Sequence, residues 1–190
     1  YPTDSKIIEG AGSLPSLKDE ISAFGVKKPL VITFRGSRGI ESVAQFLDSL
    51  GEFVVYDGIA SEPTVKNTDE ALALYVENGC DCVIGIGGSV LDTAKITALR
   101  ANNKDSIIDD ICKLESDANM SVPLFLAPTT SGTGSEVTFF AVATEEEKNK
   151  KRPFVSDKYL PDVIALDPTL TLSVPPKSTA YTGIDALSHA

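Results

Sequence analysis

The segment Val83–Lys95, with the sequence VIGIGGSVLDTAK, decides the fold of this chain. Its first residues form a short, mostly apolar run that predicts a buried strand, and the residues from Ser89 onward predict a helix. Gly87 and Gly88 lie at the junction, where glycine lets backbone N–H groups approach a ligand closely. A strand, a glycine turn and a helix N-terminus in this order suit a pyrophosphate. The turn matches neither the G-x-G-x-x-G fingerprint nor a P-loop, and a plain strand-to-helix turn remains an open interpretation.

Short apolar runs alternate with longer mixed segments on both sides of this motif. Strands are predicted at Pro29–Phe34, Glu52–Tyr56, Cys82–Ile86 and Val122–Leu126, and helices at Gly39–Leu50, Thr64–Asn78 and Ser89–Arg100. Gly79 is well placed to end the second helix. This βαβα order predicts an α/β fold with a mostly parallel sheet and helices on both faces.

The second half of the chain is less regular. Strands are predicted at Val137–Thr144 and Val163–Leu166, with the charged run 145–152 (EEEKNKKR) as a solvated hairpin turn. Val174-Pro175-Pro176 indicates a linker, and Thr179–Ala190 indicates a new helix. We therefore predict a first domain over residues 1–174 and the incomplete beginning of another at 175–190. Both ends of the chain read as cut.

The composition excludes several classes of protein. The 190 residues carry a formal net charge of −10, which argues against a binder of nucleic-acid backbones. The apolar runs are too short for a membrane span, and no secretory signal precedes them. Cys80, Cys82 and Cys112 complete no zinc knuckle, so we expect reduced thiols in a cytoplasmic protein.

A loop rich in hydroxyl groups follows the fourth predicted strand. The segment Ala127–Val137 reads APTTSGTGSEV. Ligands of open α/β sheets bind at the carboxyl ends of the strands, so these hydroxyls suit ribose, phosphate or amide contacts. A solvent loop with Ser and Thr as turn formers is the weaker interpretation.

The last predicted helix ends in GIDALSHA, at residues 183–190. Asp185 and His189 are four residues apart, so they share one helix face and could bind a divalent metal together. A surface pair is the more common role for such residues. His189 is the only histidine, and two ligands rarely hold a catalytic metal.

The ordered set of motifs resembles the N-terminal part of the iron-containing, metal-dependent alcohol dehydrogenases. The motifs are EGAGSLPSL (9–17), EPT (62–64), GIGGSVLDTAK (85–95), PTTSGTGSEV (128–137), and DPTLTLSVPP (167–176) followed by TGIDALSHA (182–190). The resemblance implies a Rossmann-like dinucleotide domain followed by an all-helical domain. Metal and substrate would lie between them.

The resemblance also implies roles for individual residues. The pyrophosphate of NAD(P) would lie on Gly87, Gly88 and Ser89, close to Asp92. The nicotinamide end would lie near Thr129, Thr130 and Thr133, and Lys151 would contact a ribose of the cofactor. Asp185 and His189 match the first two ligands of Fe²⁺ or Zn²⁺. The metal would polarise the oxygen of a primary alcohol or aldehyde during hydride transfer, with no further catalytic side chain. Lys95 is expected to form a structural ion pair.

Two departures from the family pattern carry expectations of their own. The usual G-G-G-S turn is Gly85-Ile86-Gly87-Gly88-Ser89 here, either because Ile86 replaces a glycine or because one residue is deleted. The strand predicted at Pro29–Phe34 ends about where members that prefer NAD commonly carry an acidic residue. The residues here are Phe34, Arg35, Gly36, Ser37 and Arg38. Arg and Ser can bind a 2′-phosphate, so we expect Arg35, Ser37 and Arg38 to favour NADP(H) over NAD(H).

Other functions remain open at this point. A polyol dehydrogenase or a dehydroquinate-synthase-like enzyme would share the fold, and a truncated nucleotide-binding module without catalysis would share the cofactor motifs. We expect the 190-residue chain by itself to have little dehydrogenase activity, and a homodimer is possible.

Overall fold

The fold comes from a computed structural model that describes residues 5–102, 108–111 and 121–190. Six parallel strands form one sheet in the order β1-β8-β5-β4-β2-β3. They are β1 (Lys6–Glu9), β2 (Pro29–Ile32), β3 (Val54–Tyr56), β4 (Cys82–Gly87), β5 (Leu124–Pro128) and β8 (Val163–Leu166). An antiparallel hairpin of β6 (Phe140–Glu145) and β7 (Lys150–Val155) stands apart from this sheet. The predicted α/β class and its parallel sheet are therefore confirmed.

Helices cover both faces of the sheet. They are α1 (Leu17–Ala23), α2 (Glu41–Ser49), α3 (Val65–Glu77) and α4 (Val90–Ala101), and α5 (Pro176–His189) follows the last strand. Alternate residues of β2 enter opposite cores: Leu30 and Ile32 pack with α3 and α4, whereas Val31 packs with α1 and α2. Full burial of such a side chain contributes about 1.5–3 kcal/mol, so the two apolar layers hold the sheet between them.

Local signals set the ends of α3. The Thr64 side chain accepts a hydrogen bond from the backbone N–H of Asn67 (3.1 Å), and the Asn67 side chain accepts one from the N–H of Thr64 (3.0 Å). This capping box satisfies two donors that a helix start leaves without partners. At the other end, Gly79 has a φ of +64°, as predicted for the residue that ends the helix.

The hairpin of β6 and β7 packs on the outer side of α4. Ile96 and Leu99 of α4 join Phe154 of β7 and Tyr159 in a third buried cluster. This contact matters for the site, because it fixes the chain that leaves β5 against the helix that follows β4.

The structure moves several predicted boundaries. β3 starts at Val54 and β5 runs from Leu124 to Pro128. The charged run 145–152 is only partly a turn, since its last three residues open β7. Pro176 belongs to α5 and not to a linker, because a proline in the first helical position lacks only an N–H that would have no partner there. Helix α1 was not predicted.

Cys80 and Cys82 are free thiols and both are buried, whereas Cys112 lies outside the described residues. Within the described part of the chain, no helix has the length and apolar character required to cross a membrane.

Candidate functional site

A cleft of about 870 Å³ opens at the carboxyl ends of β4 and β5. Its walls come from the turn after β4, the loop after β5, the end of β2, the segment after β3, the hairpin and α5. The sequence-predicted residues in its lining are Gly88, Ser89, Asp92, Thr129, Thr130, Thr133, Lys151 and Asp185. Parallel strands deliver their following loops to one edge of the sheet, which is why motifs about 100 residues apart meet here.

The glycine turn packs too tightly for side chains. Gly87 has a φ of +149°, and a Cβ on it would lie 2.6 Å from Cγ2 of Val90. A Cβ on Gly88 would lie 2.9 Å from Oγ1 of Thr130. Glycine is therefore required at Gly87, and a side chain at Gly88 would displace Thr130. Gly88 and the first residues of α4 line the cleft. Unpaired N–H groups and the helix dipole favour an anion at such a place.

Ile86 belongs to β4 and not to the turn that follows it. Ile86 is fully buried, pairs with Ala127 of β5 and belongs to the core on the side of α1 and α2. It is a strand residue, so only Gly88 and Ser89 separate β4 from α4. β4 therefore runs directly into the turn.

The hydroxyl loop, residues 129–135, forms the facing wall. The backbone N–H of Thr129 donates to the carbonyl of Gly87 over 3.1 Å, which ties the loop to the glycine turn. Thr129 is buried, Thr130 is half-buried and Thr133 is exposed. Three hydroxyl groups of graded exposure therefore line one wall.

Asp92 lines the cleft, but its carboxylate also bonds within the protein. Oδ1 accepts from the Ser135 hydroxyl (2.7 Å) and Oδ2 from the N–H of Val142 (3.2 Å). Burial raises the pKa of Asp92, although the bonds from Ser135 and Val142 and the charge of Lys95 act against that shift. The Lys95 ammonium bonds to oxygens of the segment 135–140, so its role is structural but differs from the predicted ion pair.

Lys151 reaches the cleft from β7 and forms an ion pair with Glu62, with 3.0 Å between Nζ and Oε1. A backbone hydrogen bond of 2.9 Å from Thr144 to Pro63 supports the same contact. Glu62 itself lines the cleft. The sequence motif EPT contained this residue, but nothing in the sequence indicated that it faces Lys151.

The residues after β2 are not all brought to the cleft. Phe34 lines it, whereas Arg35 is exposed outside the lining and Ser37 is buried. The guanidinium of Arg38 bonds to Asp48 over 2.9 Å and lies 5.9 Å from the ring centroid of Phe53. The structure thus places Arg35, Ser37 and Arg38 outside the cleft lining.

Helix α5 supplies one predicted metal ligand to the cleft. Asp185 lines it beside Gly132, whose Cβ, if present, would lie 3.4 Å from Oδ2 of Asp185. His189 ends α5, is exposed and lies outside the lining. Ser178 and Thr182 also line the cleft, at helical spacing from Asp185, and neither was predicted as a site residue. Their spacing of four and three residues was the signal that could have found them.

A metal would be held only in part by these side chains. Among the described residues, no group of three or more His, Cys, Asp or Glu side chains could hold a metal ion. Catalytic sites of this kind use three or more protein ligands. Of the two predicted ligands, Asp185 lines the cleft and His189 does not, and their metal-binding role stays a prediction.

Known proteins with similar sequences cover the same span. The sequence model of the iron-containing alcohol dehydrogenases matches residues 4–168. Lactaldehyde reductase of Escherichia coli (strain K12) is 35% identical over 189 residues, which are 95% of this chain and 49% of that protein. Long-chain-alcohol dehydrogenase 1 of Geobacillus thermodenitrificans is 39% identical, over 95% of this chain and 47% of that protein. The chain therefore spans about half the length of the curated relatives it matches.

Solved structures agree with the sequence matches. NADH-dependent butanol dehydrogenase A from Thermotoga maritima superposes with a TM-score of 0.89 at 30% identity, over 100% of this chain and 49% of that one. Sulfoacetaldehyde reductase from Bifidobacterium kashiwanohense, solved in complex with NAD⁺, gives a TM-score of 0.88 at 33% identity, over 99% and 51%. By its sequence and its fold, this chain belongs to the iron-containing alcohol dehydrogenase family.

Proposed function

We propose that this chain forms the cofactor-binding part of an NAD(P)-dependent, metal-assisted alcohol dehydrogenase or aldehyde reductase. One observation carries the proposal: the open glycine turn at Gly88, the hydroxyl loop at Thr129–Ser135 and Asp185 line a single cleft. An anion site, a set of hydroxyl groups and a carboxylate in one cleft suit a dinucleotide whose reactive end lies near a cation.

Each wall has a task in this proposal. The backbone of Gly87 and Gly88 and the start of α4 would bind the pyrophosphate, with Ser89 and Asp92 beside it. Thr129, Thr130 and Thr133 would orient the nicotinamide end, and Lys151 would contact a ribose. Orientation of the cofactor against the substrate is the main contribution of the protein, because the nicotinamide supplies the hydride chemistry.

Asp185 and His189 would provide two of the ligands of a divalent cation, Fe²⁺ or Zn²⁺. When bound, the cation would supply Lewis-acid polarisation of the substrate oxygen. Among the described residues, no group of three or more such side chains could hold the cation, so we expect little turnover from the 190-residue chain by itself.

The names of the relatives define the substrate class broadly. They include lactaldehyde reductase, choline dehydrogenase, long-chain-alcohol dehydrogenase and sulfoacetaldehyde reductase. These substrates differ in charge and length but share a carbon that passes between the alcohol and aldehyde states. We therefore propose a primary alcohol or aldehyde as the substrate.

NADP(H) is the proposed preferred cofactor. Phe34 lines the cleft at the end of β2, where an acidic residue would bind the ribose hydroxyls of NAD. Arg35 follows directly and is exposed. An exposed guanidinium can bind a phosphate, whereas Phe34 cannot repel one.

Titration of the 190-residue chain with NADPH and with NADH, followed by nicotinamide fluorescence, tests the proposal. We expect saturable binding that is tighter for NADPH and unchanged by added Fe(II) or Zn(II). Absence of binding for both cofactors would overturn it. Binding without oxidoreductase activity, even in a protein that carries the remaining half of its relatives' length, would favour a nucleotide-binding module without catalysis.

A further inference from the structure

We propose that Lys95 is a positioning residue of the cofactor site, whose ammonium group holds the loop after β5 at a fixed distance from the glycine turn. The structural part of this proposal stands on contacts within the chain. Its consequence for binding rests on the proposed cofactor function.

The side chain of Lys95 is completely buried within the domain. Its Nζ donates to the carbonyls of Thr138 (3.0 Å) and Phe140 (2.8 Å) and to the carbonyl of Ser135. The hydroxyls of Ser135 and Thr138 lie 3.1 and 3.2 Å away. All five oxygens belong to residues 135–140, so one ammonium group organises the whole connection between the hydroxyl loop and β6.

Asp92 holds the same connection from one helical turn earlier. It accepts the hydroxyl hydrogen of Ser135 and the backbone N–H of Val142. Ser135 therefore stands between a carboxylate and an ammonium group of the same helix. Two side chains three residues apart on α4 hold the chain from Ser135 to Val142.

This arrangement links the two walls of the cleft. Helix α4 begins directly after the glycine turn, and Ser135 and Glu136 line the opposite wall. The direct bond from Thr129 to Gly87 fixes the first residues of the loop. The spacing of the later residues 135–140 is set through α4, where Lys95 makes more of the hydrogen bonds than Asp92 does. Loosening of these bonds would therefore weaken the binding of a ligand that contacts both walls.

The charge on Lys95 makes the arrangement dependent on pH. Burial lowers the pKa of Lys95 to about 8, although the negative charges of Asp92 on its own helix and Glu136 on the loop act to raise it. A neutral amine has one N–H fewer and lacks the charge that strengthens bonds to carbonyl oxygens. A bound anionic cofactor would favour the protonated form. We therefore expect cofactor affinity to fall as the pH rises through about 8.

The first readout is the dissociation constant of NADPH between about pH 6.5 and 9.5. We expect the wild-type constant to rise about tenfold across this range, and Lys95→Met to bind about tenfold more weakly at neutral pH with no such rise. Lys66→Met removes an exposed lysine of α3 and is the matched control; it should follow the wild type. A Lys95→Met variant with wild-type affinity and pH profile would overturn the proposal.

The second readout needs no cofactor. Hydrogen exchange of the Thr138 and Val142 amides reports on the held segment, because these amides donate to the Ser135 carbonyl and to Asp92. Their protection, corrected for intrinsic exchange, should fall above about pH 8. Equal protection at about pH 7 and 9 would contradict the proposal. If the wild type binds no cofactor, that result counts against the proposed function. Hydrogen exchange then still tests whether Lys95 holds the segment.

If Lys95→Met fails to fold, two other measurements still test the positioning role of Lys95. Ser135→Ala removes the shared hydroxyl but keeps the carbonyl partners of Lys95, and it should weaken NADPH binding and lower the protection of Thr138. The wild-type pH profiles give the second measurement. Unchanged binding and protection in Ser135→Ala, together with flat wild-type profiles, would reject the positioning role.

Discussion

Gly88 and Thr130 face each other closely at the cleft: a Cβ on Gly88 would lie only 2.9 Å from Oγ1 of Thr130. We expect Gly88→Ala to push this threonine into the cleft or to displace the turn from the start of α4. Either change removes space and N–H groups from the anion site. Binding of NADH and NADPH, measured by nicotinamide fluorescence, should weaken at least about tenfold.

Gly183→Ala is the control for this experiment. A Cβ on Gly183 would meet nothing within 4 Å, and the residue lies inside α5. Alanine in a helix is favoured over glycine by about 1 kcal/mol, so the control should bind the cofactors normally and unfold at equal or higher temperature. Equal cofactor affinity in both variants would show that the glycine turn is not part of the binding site.

Substitution of Lys151 and substitution of Glu62, which form an ion pair, should change cofactor affinity in opposite directions. Both side chains are more than half exposed, so the pair adds less than about 1 kcal/mol to stability. If Lys151 contacts the cofactor, Lys151→Met should weaken binding severalfold with little change in melting temperature. Glu62→Gln should tighten binding, because it frees the ammonium group and removes a negative charge near an anionic ligand.

Lys66→Met is the matched control, since Lys66 pairs with Glu70 on α3 and lies outside the cleft. Titrations at low and high salt separate a direct contact from a general loss of positive charge. A cofactor constant that changes equally in Lys66→Met and Lys151→Met would contradict a specific contact at Lys151.

Local sequence patterns predicted most of the fold. The alternation of Leu30, Val31 and Ile32 between two cores follows from the period of a strand. The capping residue Thr64 and the terminating Gly79 set α3 in the same local way. Helix α1 was not predicted because its seven residues bury only two side chains, which is too few for a periodic signal.

Contacts between distant segments could not be predicted in the same way. Arg38 was expected to favour a 2′-phosphate, and the structure shows its guanidinium bonded to Asp48 of α2. Lys95 was expected to form a structural ion pair, and its ammonium group bonds to carbonyls about 40 residues away. Backbone carbonyls have no sequence signature, so only the fold reveals them.

Asp167 predicts a dependence of stability on pH. Its carboxylate accepts bonds from the N–H groups of Gly12, Leu14 and Thr169 and from the Thr169 hydroxyl. Burial acts to raise its pKa, but these bonds outweigh burial and hold the pKa below the ordinary value of 3.8. The stabilisation is therefore complete above the unfolded-state pKa and is lost as the pH falls through the lower folded-state value.

Asp167→Asn should lower the free energy of unfolding by about 1–3 kcal/mol at neutral pH, because at least one buried N–H loses its acceptor. Urea unfolding at about pH 7 and pH 3 measures the effect, and the difference from wild type should shrink at the lower pH. Asp48→Asn, at an exposed pair with Arg38, should change stability by less than about 1 kcal/mol. A constant difference between wild type and Asp167→Asn at both pH values would contradict the role of the ionised carboxylate.

Phe34 provides the test of cofactor preference. It lines the cleft, and its Cδ1 lies 3.3 Å from the position of a Cβ on Gly87, so a side chain here stands beside the glycine turn. A carboxylate at this place would accept bonds from ribose hydroxyls and repel a 2′-phosphate. We expect Phe34→Asp to shift the ratio of the NADPH and NADH dissociation constants about tenfold or more toward NADH.

Arg35→Ala complements this change, because loss of the exposed guanidinium should weaken NADPH binding and leave NADH binding unchanged. Lys18→Ala, an exposed position on α1 outside the cleft lining, controls for the loss of one positive charge. Paired titrations of the three variants with both cofactors give the required ratios. If Phe34→Asp and Arg35→Ala keep the wild-type ratio, the end of β2 does not select the cofactor, and selection must come from the Lys151 side of the cleft.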